Sequence, residues 1–110
     1  MGSPAFEARV EDIAGHVTIR LIGELDIDTV PILSDCIDAI APGVGSTVFE
    51  LSELTFMDSS GLSTLLRRWK ETKVAGGSFV ISGVTAPIRR LLSVTGTEFL
   101  LGEEATVTVA

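Results

Sequence analysis

The sequence predicts a single α/β domain in which a β-hairpin is followed by strand-helix units and helices cover a mixed sheet. Two observations predict this class. The opening segment alternates apolar and polar residues on both sides of a glycine-containing turn, and later apolar runs alternate with stripes of helical spacing. Strand-helix-strand units imply parallel strands joined by right-handed crossovers, while the hairpin adds an antiparallel pair.

The first two strands are predicted over residues 6–13 and 16–22, separated by a turn at Ala14-Gly15. The second strand has the period-two pattern of a half-buried strand. Its apolar face carries Val17, Ile19 and Leu21. Residues 23–28, Gly-Glu-Leu-Asp-Ile-Asp, are predicted to form a polar loop after it.

The first helix is predicted to follow an N-cap at Asp28 or Thr29, with Pro31 tolerated in its first turn. Spacings of three, four and three residues give it an amphipathic stripe. The residues of that stripe are Val30, Leu33, Ile37 and Ile40. Pro42-Gly43 is predicted to end the helix.

A short central strand is predicted over residues 47–51, and a second helix opens at residues 58–61, Asp-Ser-Ser-Gly. Its predicted buried stripe consists of Leu62, Leu65, Leu66 and Trp69. Its predicted solvated face consists of Arg67, Arg68, Lys70 and Glu71. Gly76-Gly77 closes the helix.

The rest of the domain is predicted as a strand over residues 78–82, a helix from the cap Thr85 to Gly96, and a last core strand over residues 99–101. The third helix turns Ile88, Leu91 and Leu92 inward. Residues 103–110 are ambiguous, because their end alternates like a strand. We interpret residues 1–5 as an N-terminal extension or tag remnant and residues 6–110 as one domain.

Composition and charge limit the possible functions. Hydrophobic residues make up 45% of the 110-residue chain, enough for a core, but no apolar run approaches the length of about 20 residues that spans a bilayer. Residues 1–58 hold 11 acidic and 2 basic residues, which argues against non-specific nucleic-acid binding. The single cysteine, Cys36, fits a reducing cytoplasm.

The functional signal lies in residues 54–62, where a strand runs into a helix. Functional side chains of open α/β sheets gather at the carboxyl ends of strands. A phosphate on Ser59 would meet the unpaired amides and partial positive charge of a helix N-terminus, and would add a charge of about −1.5 to −2 beside Asp58. Ordinary helix capping by serine and aspartate explains the same residues, and both interpretations can hold.

Residues 56–62, Phe-Met-Asp-Ser-Ser-Gly-Leu, resemble the signature of the STAS family, specifically of its anti-sigma factor antagonists. Residues 23–26, Gly-Glu-Leu-Asp, resemble the family's second landmark between the second strand and the first helix. Gly76-Gly77 and residues 87–92 resemble its later half, so that the likeness covers about residues 6–102. Glu50 departs from the Asp or Asn more usual there, and the tail lacks a longer C-terminal helix.

The resemblance implies a STAS-like mixed sheet and a cytoplasmic bacterial anti-sigma factor antagonist that is not an enzyme. Such a protein binds an anti-sigma factor serine kinase when unphosphorylated and so frees a sigma factor for transcription. The kinase modifies the first serine after the aspartate, here Ser59, and a serine phosphatase restores it. The implied partner-binding residues are Asp26, Asp58, Ser59, Ser60 and Gly61. No cofactor, metal, nucleic acid or membrane is expected.

Three alternatives stay open. A nucleophilic Ser59 would need a base, but the single histidine, His16, starts a hairpin strand, and neither a Gly-x-Ser-x-Gly elbow nor a metal-ligand cluster is present. A serine-bearing helix also resembles the prosthetic-group site of acyl carriers, which are helical bundles without these strands. The main rival is another STAS role, as a subunit of a lipid-transport complex or a stress-signalling scaffold.

Overall fold

A computed structural model describes residues 5–41 and 45–102. The elements are β1 (Phe6–Ile13), β2 (His16–Leu25), α1 (Val30–Asp38), β3 (Ser46–Met57), α2 (Ser59–Ala75), β4 (Ser78–Ser82), α3 (Ala86–Thr95) and a 3-10 helix (Glu98–Leu101). The strands form one sheet in the order β1-β2-β3-β4. The first pair is antiparallel and the other two are parallel, which confirms the predicted mixed α/β class.

The opening hairpin turns through two residues with positive φ, Ala14 at 53° and Gly15 at 85°. Such a left-handed pair matches the twist of the strands that it joins. The prediction for β1 is confirmed, but β2 continues for three residues into the segment predicted as a loop. The loop prediction for residues 23–25 is therefore wrong, because Leu25 is fully buried and pairs with Met57 of β3.

The central strand, β3, is seven residues longer than the predicted strand over residues 47–51. Its pairing with β2 shifts twice, between Arg20 and Ile22 and between Gly23 and Glu24. At each shift β3 contains one extra residue, which is the signature of a β-bulge. Because of the bulges, successive buried residues in this part of β3 are three positions apart in the sequence, instead of the two positions of a regular strand. These residues are Leu51, Leu54 and Met57.

The core lies between the sheet and the helices that cross over from one parallel strand to the next. It contains alternate residues of β2, the buried sides of the helices and the large ring of Phe49, which is fully buried. Right-handed crossovers in one direction place α1 and α2 on the same face of the sheet. On the other face, Arg20 Nε lies 3.8 Å from Glu50 Oε1, and both side chains remain partly exposed.

All three predicted helices occur among the described residues, and the observed bounds differ from the predicted ones mainly for α1. Thr29 is its N-cap residue and Pro31 lies in its first turn, as expected. The helix ends at Asp38, before the predicted stop at Pro42-Gly43, which lies outside the described residues. Helices α2 and α3 end at left-handed glycines, Gly76 and Gly96, as predicted.

Arg68 contradicts the predicted solvated face of α2. Its side chain is only 3% exposed, and its Nη2 donates a hydrogen bond of 2.6 Å to the carbonyl oxygen of Ile40, beyond the end of α1. Glu71 lies on the exposed side, with Oε1 3.8 Å from Arg68 Nη1. The guanidinium is buried because it supplies a donor to a backbone carbonyl that the end of α1 leaves without a helical partner.

The predicted last strand is also wrong. Residues 98–101 form a 3-10 helix that buries Leu100 and Leu101 and leaves Phe99 about half exposed. Phe99 stacks on Trp69 with ring centroids 4.9 Å apart. Trp69 is therefore half-buried at the edge of the core that it was predicted to join. The ambiguous tail 103–110 and residues 1–4 lie outside the described residues.

Candidate phosphorylation and partner-binding site

The candidate site lies at the carboxyl ends of the parallel strands β2 and β3. The backbone amide of Asp58 donates a hydrogen bond of 3.2 Å to the carbonyl oxygen of Leu25, one step beyond the last pair of the two strands. This contact joins the start of α2 to the start of the β2–α1 loop. Two of the predicted segments, residues 23–26 and 56–62, therefore meet at one edge of the sheet.

Asp58 is the N-cap residue of α2, and one of its oxygens makes every cap contact. Oδ1 accepts hydrogen bonds from the backbone amides of Ser60 (2.9 Å) and Gly61 (3.3 Å) and from the Ser60 hydroxyl (2.5 Å). The Ser60 hydroxyl is the largest cause of a lowered pKa at Asp58, and the two amides add to it. The cap therefore holds a charged carboxylate at the positive end of the helix.

Ser59 and Ser60 have different surroundings although they are adjacent. Ser60 is half-buried, and its hydroxyl is committed to Asp58. Ser59 is exposed as the first residue of α2, and its hydroxyl makes no hydrogen bond within the part of the chain that the structure describes. The chemistry of the site thus presents one accessible nucleophilic oxygen beside a completed helix cap.

Gly61 is buried because α2 starts in close contact with β2 and β3. A Cβ atom at this position would lie 2.7 Å from Leu25 Cγ and 3.0 Å from Met57 Cγ. Both distances are shorter than ordinary contacts between carbon atoms. The glycine therefore sets how closely α2 approaches the strand ends, and so it fixes the position of the two serines before it.

Asp26 organises the neighbouring β2–α1 loop. Its Oδ1 accepts hydrogen bonds from the amides of Asp28 (3.0 Å) and Thr29 (3.1 Å), the pattern of an Asx turn. The Thr29 hydroxyl donates to the carbonyl oxygen of Glu24 at 2.8 Å, and the amide of Asp26 donates to that hydroxyl at 2.9 Å. Thr29 is buried and its hydroxyl fixes this loop, a role beyond the N-cap position that the sequence predicts, although its spacing of three from Asp26 is a capping signal.

The other candidate chemistries gain no support from the geometry. His16 lies at the opposite end of β2 from Leu25, about 30 Å away along the strand, so it does not reach Ser59. Its Nδ1 is 2.8 Å from the Ser46 hydroxyl. Within residues 5–41 and 45–102, no group of three metal-ligating side chains occurs. In the same residues, no helix is both long and apolar enough to cross a membrane.

These features define the class of protein: a small α/β domain with a mixed four-stranded sheet that exposes a serine at a helix start beside the strand ends. The STAS domain family model matches residues 7–110. The chain therefore belongs to the STAS domain family.

Its similarity to known proteins extends through most of the chain. The anti-sigma F factor antagonist of Paenibacillus polymyxa is 34% identical over 92 residues, which is 82% of this chain and 79% of that protein. The structure of the anti-sigma factor antagonist SpoIIAA in its unphosphorylated form is 30% identical with a TM-score of 0.70, covering 94% of this chain and 96% of that one. Phosphorylated SpoIIAA of Bacillus has a TM-score of 0.66 at 28% identity, covering 94% and 100%.

Proposed function

We propose that this protein is an anti-sigma factor antagonist that is switched by phosphorylation of Ser59. The unphosphorylated form binds an anti-sigma factor serine kinase and releases the sigma factor, which activates transcription. The kinase phosphorylates Ser59 and so ends its own inhibition, and a serine phosphatase restores the binding form. The domain acts in the cytoplasm, where RNA polymerase is regulated, and performs no catalysis itself.

The observation that carries this proposal is that the Ser59 hydroxyl takes no part in the helix cap at the start of α2. Asp58 and Ser60 complete the helix cap between them, while Ser59 is exposed and its hydroxyl makes no hydrogen bond among the described residues. Addition of a phosphate to Ser59 therefore breaks no contact that the cap needs. A kinase can reach this oxygen without unfolding the helix.

Electrostatics supports an inhibitory effect of the phosphate on binding. A phosphoserine adds a charge of about −1.5 to −2 to a surface that already contains Asp26 and Asp58. A partner surface that accommodates the neutral hydroxyl would then face a bulky dianion, and like-charge contacts at an interface cost several kcal/mol. The helix N-terminus stabilises the same charge in the free protein.

The names of the relatives support the same role. The Paenibacillus relative is an antagonist of an anti-sigma factor, and SpoIIAA has been solved in both unphosphorylated and phosphorylated forms. Both forms of SpoIIAA have the fold of this chain. A switch that leaves the fold unchanged must act at the surface, which agrees with an exposed serine.

Phosphorylation at one named serine is the direct test. We would incubate the protein with ATP and each candidate anti-sigma factor kinase of its genome, and locate added phosphate by mass spectrometry. Ser59→Ala removes the proposed acceptor, and Ser60→Ala is the matched control because it alters the adjacent serine. We expect phosphate on Ser59 in the wild type and in Ser60→Ala, and none in Ser59→Ala.

Binding measurements complete the test. We expect Ser59→Ala to bind the kinase about as tightly as the unphosphorylated wild type, and Ser59→Asp to bind at least about tenfold more weakly. Equal affinities of wild type and Ser59→Asp, or phosphate on a residue other than Ser59, would contradict the proposed switch. Absence of phosphate with every kinase would favour a scaffold or a lipid-transport subunit.

A further inference from the structure

A shallow apolar groove lies beside the candidate site, between the end of β3 and one side of α3. Its volume is about 350 Å³, and Phe56, Met57, Leu91 and Val94 provide much of its wall, with Arg90 among the lining residues. Phe56 is 46% exposed and Val94 is 78% exposed. Single exposed apolar residues are common on protein surfaces, but two large ones that line the same groove are typical of a surface that binds a partner.

The groove extends to the residue that immediately precedes the serine site. Met57 lines the groove and is followed directly by the cap residue Asp58 and by Ser59. Helix α3 follows β4, which pairs with β3 on the side away from β2. A partner that covers Ser59 therefore meets the acidic β2–α1 loop on one side and this groove on the other.

The charges around the groove give an orientation to its occupant. Arg89 and Arg90 lie next to each other on the exposed side of α3, in a protein of net charge −7. On the other side, Glu24 of β2 is the register partner of Phe56. An acidic group in the groove is therefore attracted on the α3 side and repelled on the β2 side.

We propose that this groove binds an apolar side chain with a neighbouring carboxylate, both belonging to the anti-sigma factor that covers Ser59. The apolar side chain lies against Phe56 and Val94, and the carboxylate pairs with Arg90. This inference rests on the proposed function and adds a second contact to it. Because this contact does not involve the phosphate, it determines the selectivity for one anti-sigma factor. Release of that factor depends on phosphorylation of Ser59.

Two substitutions on α3 test the groove, each with a matched control on α2. Val94→Asp places a charge in the groove, and Val74→Asp makes the same change at the penultimate residue of α2, where the side chain is 90% exposed. Arg90→Glu reverses the charge at the groove, and Lys70→Glu does the same at an exposed position of α2. Thermal unfolding followed by circular dichroism verifies that all four variants are folded.

The probe is the kinase that phosphorylates the wild type, and its dissociation constant is measured by titration calorimetry. We expect Val94→Asp to weaken binding at least about tenfold and Arg90→Glu about fivefold, while both controls stay within about twofold of the wild type. The effect of Arg90→Glu should shrink when the salt concentration rises from 0.05 to about 0.5 M, whereas that of Val94→Asp should persist.

The outcomes separate failure of the groove from failure of the switch. If Ser59→Asp binds weakly but Val94→Asp and Arg90→Glu bind like the wild type, the groove proposal is wrong and the switch stands. If Val94→Asp changes only the sedimentation behaviour of the free protein, the groove is a contact between copies of this chain, which also overturns the proposal. If the wild type binds no kinase, both proposals are wrong.

Discussion

At the scale of single residues, three consecutive side chains at the start of α2 have different roles. Asp58 supplies the acceptor, Ser60 completes the cap, and the hydroxyl of Ser59 makes no hydrogen bond to the residues that the structure describes. Gly61 then allows the helix to approach Leu25. The order matters, because an exposed serine at the Ser60 position would have to leave the cap in order to be modified.

The cap gives the first prediction, a pH-dependent stabilisation by Asp58. The pKa of this carboxyl is lower in the folded protein than its ordinary value of 3.8. The stabilisation is therefore complete above the unfolded pKa and is lost as the pH falls through the folded pKa. Asp58→Asn keeps a capping oxygen without the titration, so its free energy of unfolding should approach that of the wild type as the pH falls from about 5 to about 2.5.

Urea unfolding at several pH values measures this difference, and Asp58→Ala provides the second comparison. The alanine variant loses the cap itself and should be less stable by about 1 kcal/mol at neutral pH. A gap between wild type and Asp58→Asn that stays constant from neutral pH to pH 2.5 would show that the charge of Asp58 has no role in the cap.

The second prediction concerns Gly61. Alanine normally stabilises a helix interior by about 1 kcal/mol relative to glycine. Here the new methyl group would lie 2.8 Å from Leu25 Cδ2, and Leu25 is fully buried. Overpacking costs about 1–3 kcal/mol, so Gly61→Ala should be neutral to destabilising, whereas Ser63→Ala at an exposed position of the same helix should be neutral or slightly stabilising. A clear stabilisation of Gly61→Ala in urea unfolding would contradict the tight contact.

At the scale of elements, Arg68 links the two helices that flank the site. Its guanidinium donates from α2 to the carbonyl oxygen of Ile40, just beyond α1. Burial of this group lowers its pKa, and the nearby charge of Glu71 opposes that effect. The buried guanidinium uses Nη2 to donate to the Ile40 carbonyl, which fixes the end of α1 against α2, whereas its Nε has no hydrogen-bond partner among the described residues.

The third prediction follows from this link. Arg68→Met keeps most of the apolar stem but leaves the Ile40 carbonyl without its donor, which should lower the free energy of unfolding by about 1–3 kcal/mol. Arg67→Met changes the exposed neighbour and should stay within about 0.5 kcal/mol of the wild type. Equal stability of the two variants in urea unfolding would show that the buried hydrogen bond contributes nothing net.

The elements also show why the sequence predicts some parts of the fold better than others. The hairpin and the helices follow simple periods, and glycines mark the hairpin turn and the ends of α2 and α3, so the existence of these elements could be predicted. The second half of β3 could not, because two bulges change the spacing of Leu51, Leu54 and Met57 from two to three. The buried Arg68 was missed because periodicity alone treats an arginine as exposed.

The candidate site was predictable to a different extent. The residues around Ser59 follow from a local sequence motif, and their meeting with Asp26 follows from the parallel order of β2 and β3. The resemblance implies that Ser59 is the modified serine, but the hydrogen bonds that make Ser60 part of the cap could not be predicted, because both serines are compatible with capping. The groove at Phe56 and α3 could not be predicted either, since it joins segments about 35 residues apart in the sequence.

At the scale of the whole molecule, the site lies at the edge of a sheet that covers a buried core, and the charge is distributed unevenly around it. The sheet and its core hold the ends of β2 and β3 in fixed register, so a partner meets a preformed edge. In the sheet order, β2 leads into the acidic β2–α1 loop on one side of β3, and β4 leads into the arginine-bearing α3 on the other side. We therefore expect a change of charge at Ser59 to alter binding of the proposed partner without a movement of the fold.

The fourth prediction applies this argument to the phosphorylated domain. The phosphate changes the net charge from −7 to about −9. In the free protein, it gains about 0.3–1 kcal/mol from the helix N-terminus and is repelled by Asp58, so the two effects nearly cancel. The melting temperature of the phosphorylated protein should therefore lie within about 5 °C of the unmodified one, a shift that corresponds to about 1 kcal/mol. Its affinity for the kinase should fall about 100-fold, since about 2.7 kcal/mol of repulsion at the interface suffices.

Scanning calorimetry and titration calorimetry on the same preparation measure both quantities, with Ser59→Ala treated in the same way as the control. A melting temperature lower by 10 °C or more would mean that the phosphate unfolds α2, and release of the partner would then follow from loss of structure instead of surface charge.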